Sequence, residues 1–182
     1  DTKGPEIRVG EFPEKSVILA DGQSFTLYCD YSVPGDINGV GISYPYLGED
    51  VLKGDKILID DGLVSLVVTE VKNGDIITRV ENSGKVSSRK SINVPGIDVD
   101  QPFISDRDRS DILFGIEEDV DFIAASFVRN QDDVKKLRKL LNVNGGKKIK
   151  IIAKIESGSG IENLDSILDY ADGVMIARGD MG

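Results

Sequence analysis

The chain has 182 residues, in which 22 Lys and Arg stand against 32 Asp and Glu with no His, for a formal net charge of -10 at pH 7. So acidic a chain, with no basic stripe, excludes binding driven by counterion release from a nucleic-acid backbone. Without His there is no Ser-His-Asp triad, Cys-His dyad or histidine zinc site, so acid–base or metal chemistry falls to carboxylates, Lys, Tyr or hydroxyls.

In chain order, Asp1-Thr2-Lys3-Gly4 carries no charged, apolar and small-residue leader pattern, and Asp1 is not a translation start. From about residue 10 to residue 97, turn signals recur: Asp21-Gly22, Pro34-Gly35, Asp61-Gly62, Asn73-Gly74, Ser83-Gly84 and Pro95-Gly96. Asp-Gly and Asn-Gly supply the positive φ of tight hairpins, and the segments between are β-branched: 56–59, 63–71 and 76–80. This stretch reads as a small all-β barrel or sandwich. The imperfect alternation of 63–69 predicts a strand partly covered on both faces. Cys29, the single cysteine, has no intrachain disulfide partner, which predicts a reducing, cytoplasmic setting.

After about residue 98 the apolar period becomes helical: Ile112, Leu113 and Ile116; then Val134, Leu137, Leu140 and Leu141; then Ile161, Leu164, Ile167, Leu168 and Ala171. Short apolar runs over 121–127, 148–155 and 173–177 lie between and after these helices. The order α-β-α-β-α-β predicts parallel strands with crossover helices, in an open doubly wound sheet or a closed (β/α)8 barrel. Ser105 with Asp108, and Asn130 before Asp132 and Asp133, read as helix starts. Three units cannot close a barrel, and Gly179-Asp180-Met181-Gly182 stops where a turn or helix should follow a strand, so an excerpt of a longer polypeptide is expected. No apolar run reaches the roughly 20 residues that cross a bilayer.

Polar residues gather at the C-terminal ends of the three expected strands: Ser126 and Arg129, Lys154 and Glu156, Arg178 and Asp180. In both architectures ligands bind along that edge. Lys154 and Glu156 are two apart on an extended segment and share a face, with Ile155 turned away. Sequential parallel strands usually neighbour each other, so Glu156 and Asp180 can converge, and oxygen-only ligands of this kind suit Mg²⁺ or Mn²⁺. The plainer alternative is that strand-end charges serve solubility. Gly158-Ser159-Gly160 is best read as a loop with a helix cap, since a dinucleotide fingerprint would need glycine at Asn163. Gly145-Gly146-Lys147 lacks the rest of a phosphate loop and reads as a turn. Lys135, Lys136, Arg138 and Lys139 read as a solvated helix face, and Arg89 with Lys90 as an exposed basic pair.

Six collinear segments then resemble the pyruvate kinase family: Asp1 to Arg8, Ile59 to Leu63, Ile92 to Gly96, Ala125 to Arg129, Ile152 to Glu156, and Met175 to Gly182. The resemblance spans the chain. It implies part of a (β/α)8 TIM barrel with an inserted all-β barrel as a lid: residues 1–8 as a barrel strand, 9–97 as the lid, and 98–182 as incomplete β/α units. It implies phosphoryl transfer from phosphoenolpyruvate to ADP, giving pyruvate and ATP, by a cytoplasmic protein that is a homotetramer when complete. Position by position, it implies Glu156 and Asp180 as Mg²⁺ or Mn²⁺ ligands and Lys154 as the cation beside the transferring phosphoryl group. Gly179 and Asp180 are implied at the substrate carboxylate, Asp1 and Thr2 as half of a K⁺ site, with Glu6 the residue that K⁺-dependent members carry. Arg8 and Lys90 are implied as nucleotide-phosphate contacts. Nucleic acid and membrane are not expected partners. The competing readings are a Mg²⁺-dependent lyase or aldolase on 2-oxo acids, a binding module that does not turn over alone, and a nucleotide-dependent enzyme that transfers no phosphoryl group.

Overall fold

The computed structural model describes residues 1–97 and 101–177. The chain divides into two compact units, Ile7–Asp100 and Asp1–Glu6 with Gln101–Gly182.

In the first unit the described elements are β1 (Ile7–Arg8), β2 (Ser16–Leu19), β3 (Ser24–Tyr28), β4 (Gly39–Gly41), α1 (Leu47–Asp50), β5 (Lys56–Ile59), β6 (Val64–Lys72), β7 (Asp75–Val80), β8 (Gly84–Ser87) and β9 (Ser91–Asn93). One sheet runs β1-β9-β5-β6-β7-β3-β4, and β2 pairs with β8. The β6–β7 hairpin turns on Asn73 and Gly74, both at positive φ (55° and 90°), so the Asn-Gly signal acts through the backbone conformation that the turn demands. Val64, Leu66 and Val68 alternate inward on β6 until a register shift between Val68 and Glu70 interrupts the pattern. The core they join includes Leu19, Phe25, Leu27, Ile42, Ile57, Ile59 and Ile76, each fully buried. The single-turn helix α1 was not expected in a β-only stretch; its Leu47 is drawn into the same core.

The second unit contains α2 (Asp106–Glu117), β10 (Phe122–Ala125), α3 (Gln131–Val143), β11 (Lys150–Ile155), α4 (Gly158–Glu162), α5 (Leu164–Leu168) and β12 (Gly173–Ile176). Its strands are parallel in the order β10-β11-β12, as sequential crossover units require. Ile151, Ala153 and Ile155 on β11 meet Val134, Leu137 and Leu141 of α3 in a second core. Asn130 caps α3 by accepting from the amides of Asp132 and Asp133.

Two expectations of continuous elements also differ from what is observed. The apolar spacing over 161–171 predicts one helix, but Asn163 splits it into α4 and α5. Its side-chain amide donates to the carbonyls of Ser159 and Arg129, so a local polar contact replaces helical continuity, and Ile161 is left exposed. Residues 1–8 do not form one strand either. Ile7 and Arg8 pair antiparallel with Ile92 and Ser91 in the first unit, while Gly4, at φ +71°, and Pro5 break the chain ahead of them. Among the described residues no helix is long and apolar enough to cross a membrane.

Arg138 also departs from the expected solvated face: it donates to the carbonyl of Ile149 and to Asp172, 2.6 Å away. Asp172 further accepts from Lys150 and from the amide of Ile151. Burial opposes its ionisation, but that amide and the two cations outweigh burial and hold the carboxyl below its ordinary value. Because the folded-state value is lowered, the stabilisation is present above about pH 4 and is lost as pH falls through the folded-state value. Urea midpoints followed down the acid limb should therefore drop less steeply for Asp172→Asn than for the parent chain. Parallel acid limbs would show that Asp172 carries none of the dependence.

Candidate functional site

At the C-terminal edge of the parallel sheet lies a cavity of about 280 Å³. Asp1, Thr2, Lys3 and Glu6 line it from the N-terminal segment, and Ser126, Phe127, Lys154 and Glu156 from the ends of β10 and β11. The alternation of β11 explains the pair at its centre: Ile155 turns into the core at 1% exposure, so Lys154 and the following Glu156 emerge on the other face. Lys154 Nζ lies 3.1 Å from Glu156 Oε1 and 3.7 Å from Asp1 Oδ2. It also donates to Ser126 Oγ at 2.8 Å.

Glu156 is buried, its side chain 4% exposed. Its second oxygen, Oε2, accepts the amide of Phe127 at 2.8 Å. Phe127 presents that amide from a left-handed conformation, φ +53°, which costs a non-glycine residue roughly 1–3 kcal/mol and persists where surrounding bonds hold it. Gly4 packs on the same turn: a Cβ there would stand 2.6 Å from the carbonyl oxygen of Ser126, at a φ that already favours glycine. The Lys154–Glu156 pair is thus a desolvated ion pair in which every polar atom has been given a partner, an arrangement that adds little net stability and much fixed orientation.

Ser126, itself 4% exposed, links the two segments. Its hydroxyl donates to the carbonyl of Thr2 (2.8 Å), and its amide donates to Thr2 Oγ1 (3.0 Å). The amide of Thr2 in turn donates to the carbonyl of Ala124. Asp1 and Thr2 are thereby brought to the lysine, although 152 positions separate Thr2 from Lys154 in the chain. Arg129, four residues beyond the end of β10, turns instead to Asp133 and the carbonyl of Gln101.

Arg8 and Lys90 fall in the other unit and close together there: the amide of Val9 donates to the carbonyl of Lys90. Arg8 donates to the carbonyl of Arg89 at 2.8 Å, and Lys90 pairs with Asp60 at 2.9 Å. Gly179 and Asp180 lie outside the described residues. Among the described residues no group of three or more His, Cys, Asp and Glu is arranged to hold a metal ion. The donors that do converge are all oxygens: the Glu156 carboxylate, with lone pairs beyond those given to Lys154 and Phe127, the Asp1 carboxylate, and the Thr2 carbonyl and hydroxyl. Such a set fits hard cations of the Mg²⁺ and K⁺ kind and not thiophilic ones.

Sequence reasoning did not single out Ser126 as the link, the Phe127 amide, or the role of Gly4. The positive φ of a phenylalanine has no signature in the chain, and a link between residues 2 and 126 becomes visible only once strand ends are adjacent.

The family model described as pyruvate kinase, barrel domain, matches residues 1–182. A pyruvate kinase of Clostridium acetobutylicum is 46% identical over 182 residues, covering 100% of this chain and 38% of the relative. The pyruvate kinase of Geobacillus stearothermophilus is 47% identical over 184 residues, covering 100% of this chain and 31% of the relative. The crystal structure of a pyruvate kinase from Cryptosporidium parvum aligns at a TM-score of 0.89 and 42% identity, over 99% of this chain and 38% of that one. The chain therefore spans 38% or less of the length of these relatives. With this likeness, the parallel β/α unit is part of a (β/α)8 barrel.

Proposed function

The chain belongs to the pyruvate kinase family, and from that premise we propose that the protein carrying it transfers the phosphoryl group of phosphoenolpyruvate to ADP, giving pyruvate and ATP. The observation that carries the reading is Lys154: its ammonium is held by Glu156, Asp1 and Ser126 at the strand edge where barrel enzymes bind substrate. In the reaction the bond from the enol oxygen to phosphorus breaks, and a β-phosphate oxygen of ADP bonds to phosphorus. The enolate left behind takes one proton on carbon. Such transfer asks for positioning and charge stabilisation more than for covalent chemistry, so the absence of His is no obstacle.

Lys154 supplies a cation already oriented and already stripped of most of its water, at 15% side-chain exposure, so it can stabilise developing negative charge without reorganising. Glu156, with Asp180, would hold Mg²⁺ or Mn²⁺, which would neutralise charge on substrate oxygens. Asp1 and Thr2 would form half of a K⁺ site beside Glu6. The backbone of Gly179 and Asp180 would receive the substrate carboxylate, and Arg8 and Lys90 the nucleotide phosphates. The same reading makes the complete protein a cytoplasmic homotetramer that needs neither nucleic acid nor membrane.

A coupled assay on the complete protein tests this. ATP should form from phosphoenolpyruvate and ADP, and formation should require Mg²⁺ and respond to K⁺. Pyruvate released from a 2-oxo acid substrate without any nucleotide would instead identify a lyase or aldolase.

A further inference from the structure

Asp108 is 1% exposed, yet the chemistry above makes no use of it. It occupies the third position of α2, where Ser105 caps the helix by accepting its amide and donates to Asp108 Oδ2 at 2.8 Å. In a reciprocal cap the acidic side chain returns to the backbone amide of the capping residue. Here the other oxygen leaves the helix altogether: Asp108 Oδ1 accepts the amide of Lys3 at 2.7 Å, across 105 positions of sequence.

The amide of Lys3 and the carbonyl of Thr2 belong to one rigid, trans peptide group, in which N–H and C=O point in opposite directions. A carboxylate gripping the N–H end therefore sets the direction of the C=O end. That carbonyl accepts the hydroxyl of Ser126. With its proton committed to Thr2, Ser126 Oγ has only lone pairs to offer Lys154 Nζ, which donates to it at 2.8 Å. We propose that Asp108 is a positioning residue for the site, holding the Thr2–Lys3 peptide so that Ser126 presents an acceptor, and never a donor, to Lys154. Its role in turnover rests on the phosphoryl-transfer reading above; its grip on Lys3 does not.

Variants of the complete protein test this. Asp108→Ala should lower kcat by about 10-fold to 100-fold, the scale of a small misplacement of a reacting group, with KM for ADP nearly unchanged. Asp108→Asn, which keeps an acceptor for Lys3, should restore most of the loss. Ser105→Ala removes the helix cap and the bond to Asp108 Oδ2 but leaves Oδ1 on the amide of Lys3, so it should lower the melting temperature while lowering kcat far less than Asp108→Ala does. In a Ser126→Ala background the kcat penalty of Asp108→Ala should largely vanish, because the two act in series. Backbone hydrogen exchange over residues 2–4 should accelerate in Asp108→Ala and much less in Ser105→Ala, which keeps the carboxylate that accepts from Lys3.

If the alanine variant does not fold, Asp108→Ser keeps a polar group under Ser105 but is too short to reach Lys3, and should show the same losses. Additive penalties, no recovery with asparagine, or unchanged exchange over residues 2–4 would overturn the proposal. A parent protein that makes no ATP would refute phosphoryl transfer itself, and accelerated exchange in Asp108→Ala would still reveal the grip on Lys3, so the two failures are separable.

Discussion

Replacing Lys154 by methionine should reduce ATP formation about a thousandfold or more while divalent-cation binding survives. A thousandfold loss corresponds to about 4 kcal/mol of transition-state stabilisation, within what one preorganised charge supplies in a site shielded from water. Methionine keeps the unbranched stem and removes the ammonium, so the change isolates charge from packing. The variant also leaves Glu156 buried at 4% side-chain exposure without its cation. Removing one partner of a buried pair costs about 3–5 kcal/mol. A bound divalent ion would offset that cost, so Mg²⁺ or Mn²⁺ should raise the melting temperature of Lys154→Met more than that of the parent. Turnover within tenfold of the parent would remove Lys154 from the reaction.

The second large effect is expected at Glu156. Glutamine in its place preserves shape and can still accept the Phe127 amide through its carbonyl oxygen. Its amide nitrogen, however, would face Lys154 Nζ, putting donor against donor where an ion pair of 3.1 Å now stands. If Glu156 is the metal ligand proposed above, the half-saturating Mg²⁺ concentration should rise at least about tenfold and kcat should fall at least about a hundredfold. Titrating Mn²⁺ binding directly, in the absence of substrate, separates the two losses. Unchanged Mn²⁺ affinity would mean that Glu156 is only the counter-ion of Lys154.

The parallel order of β10, β11 and β12 was legible in the chain because each short apolar run is separated from the next by a helical period, and a crossover connection leaves little topological choice. The common face of Lys154 and Glu156 was equally legible, since it follows from the two-residue period of an extended strand. The break at Asn163 was not, because apolar spacing reports which residues can be buried and not which backbone groups a polar side chain will claim.

What the amino-acid order determined by itself is local: periods, turns at Asn73-Gly74, caps at Ser105 and Asn130, and the chemical kinds of residue at each strand end. Only tertiary structure decided who meets whom. Thr2 reaches Ser126, Lys3 reaches Asp108, and Phe127 turns its amide to Glu156 through bonds that span 124, 105 and 29 positions. A hydrogen bond acts over about 3 Å, whereas a strand pattern carries no information on which distant backbone group will stand that close once the sheet has formed.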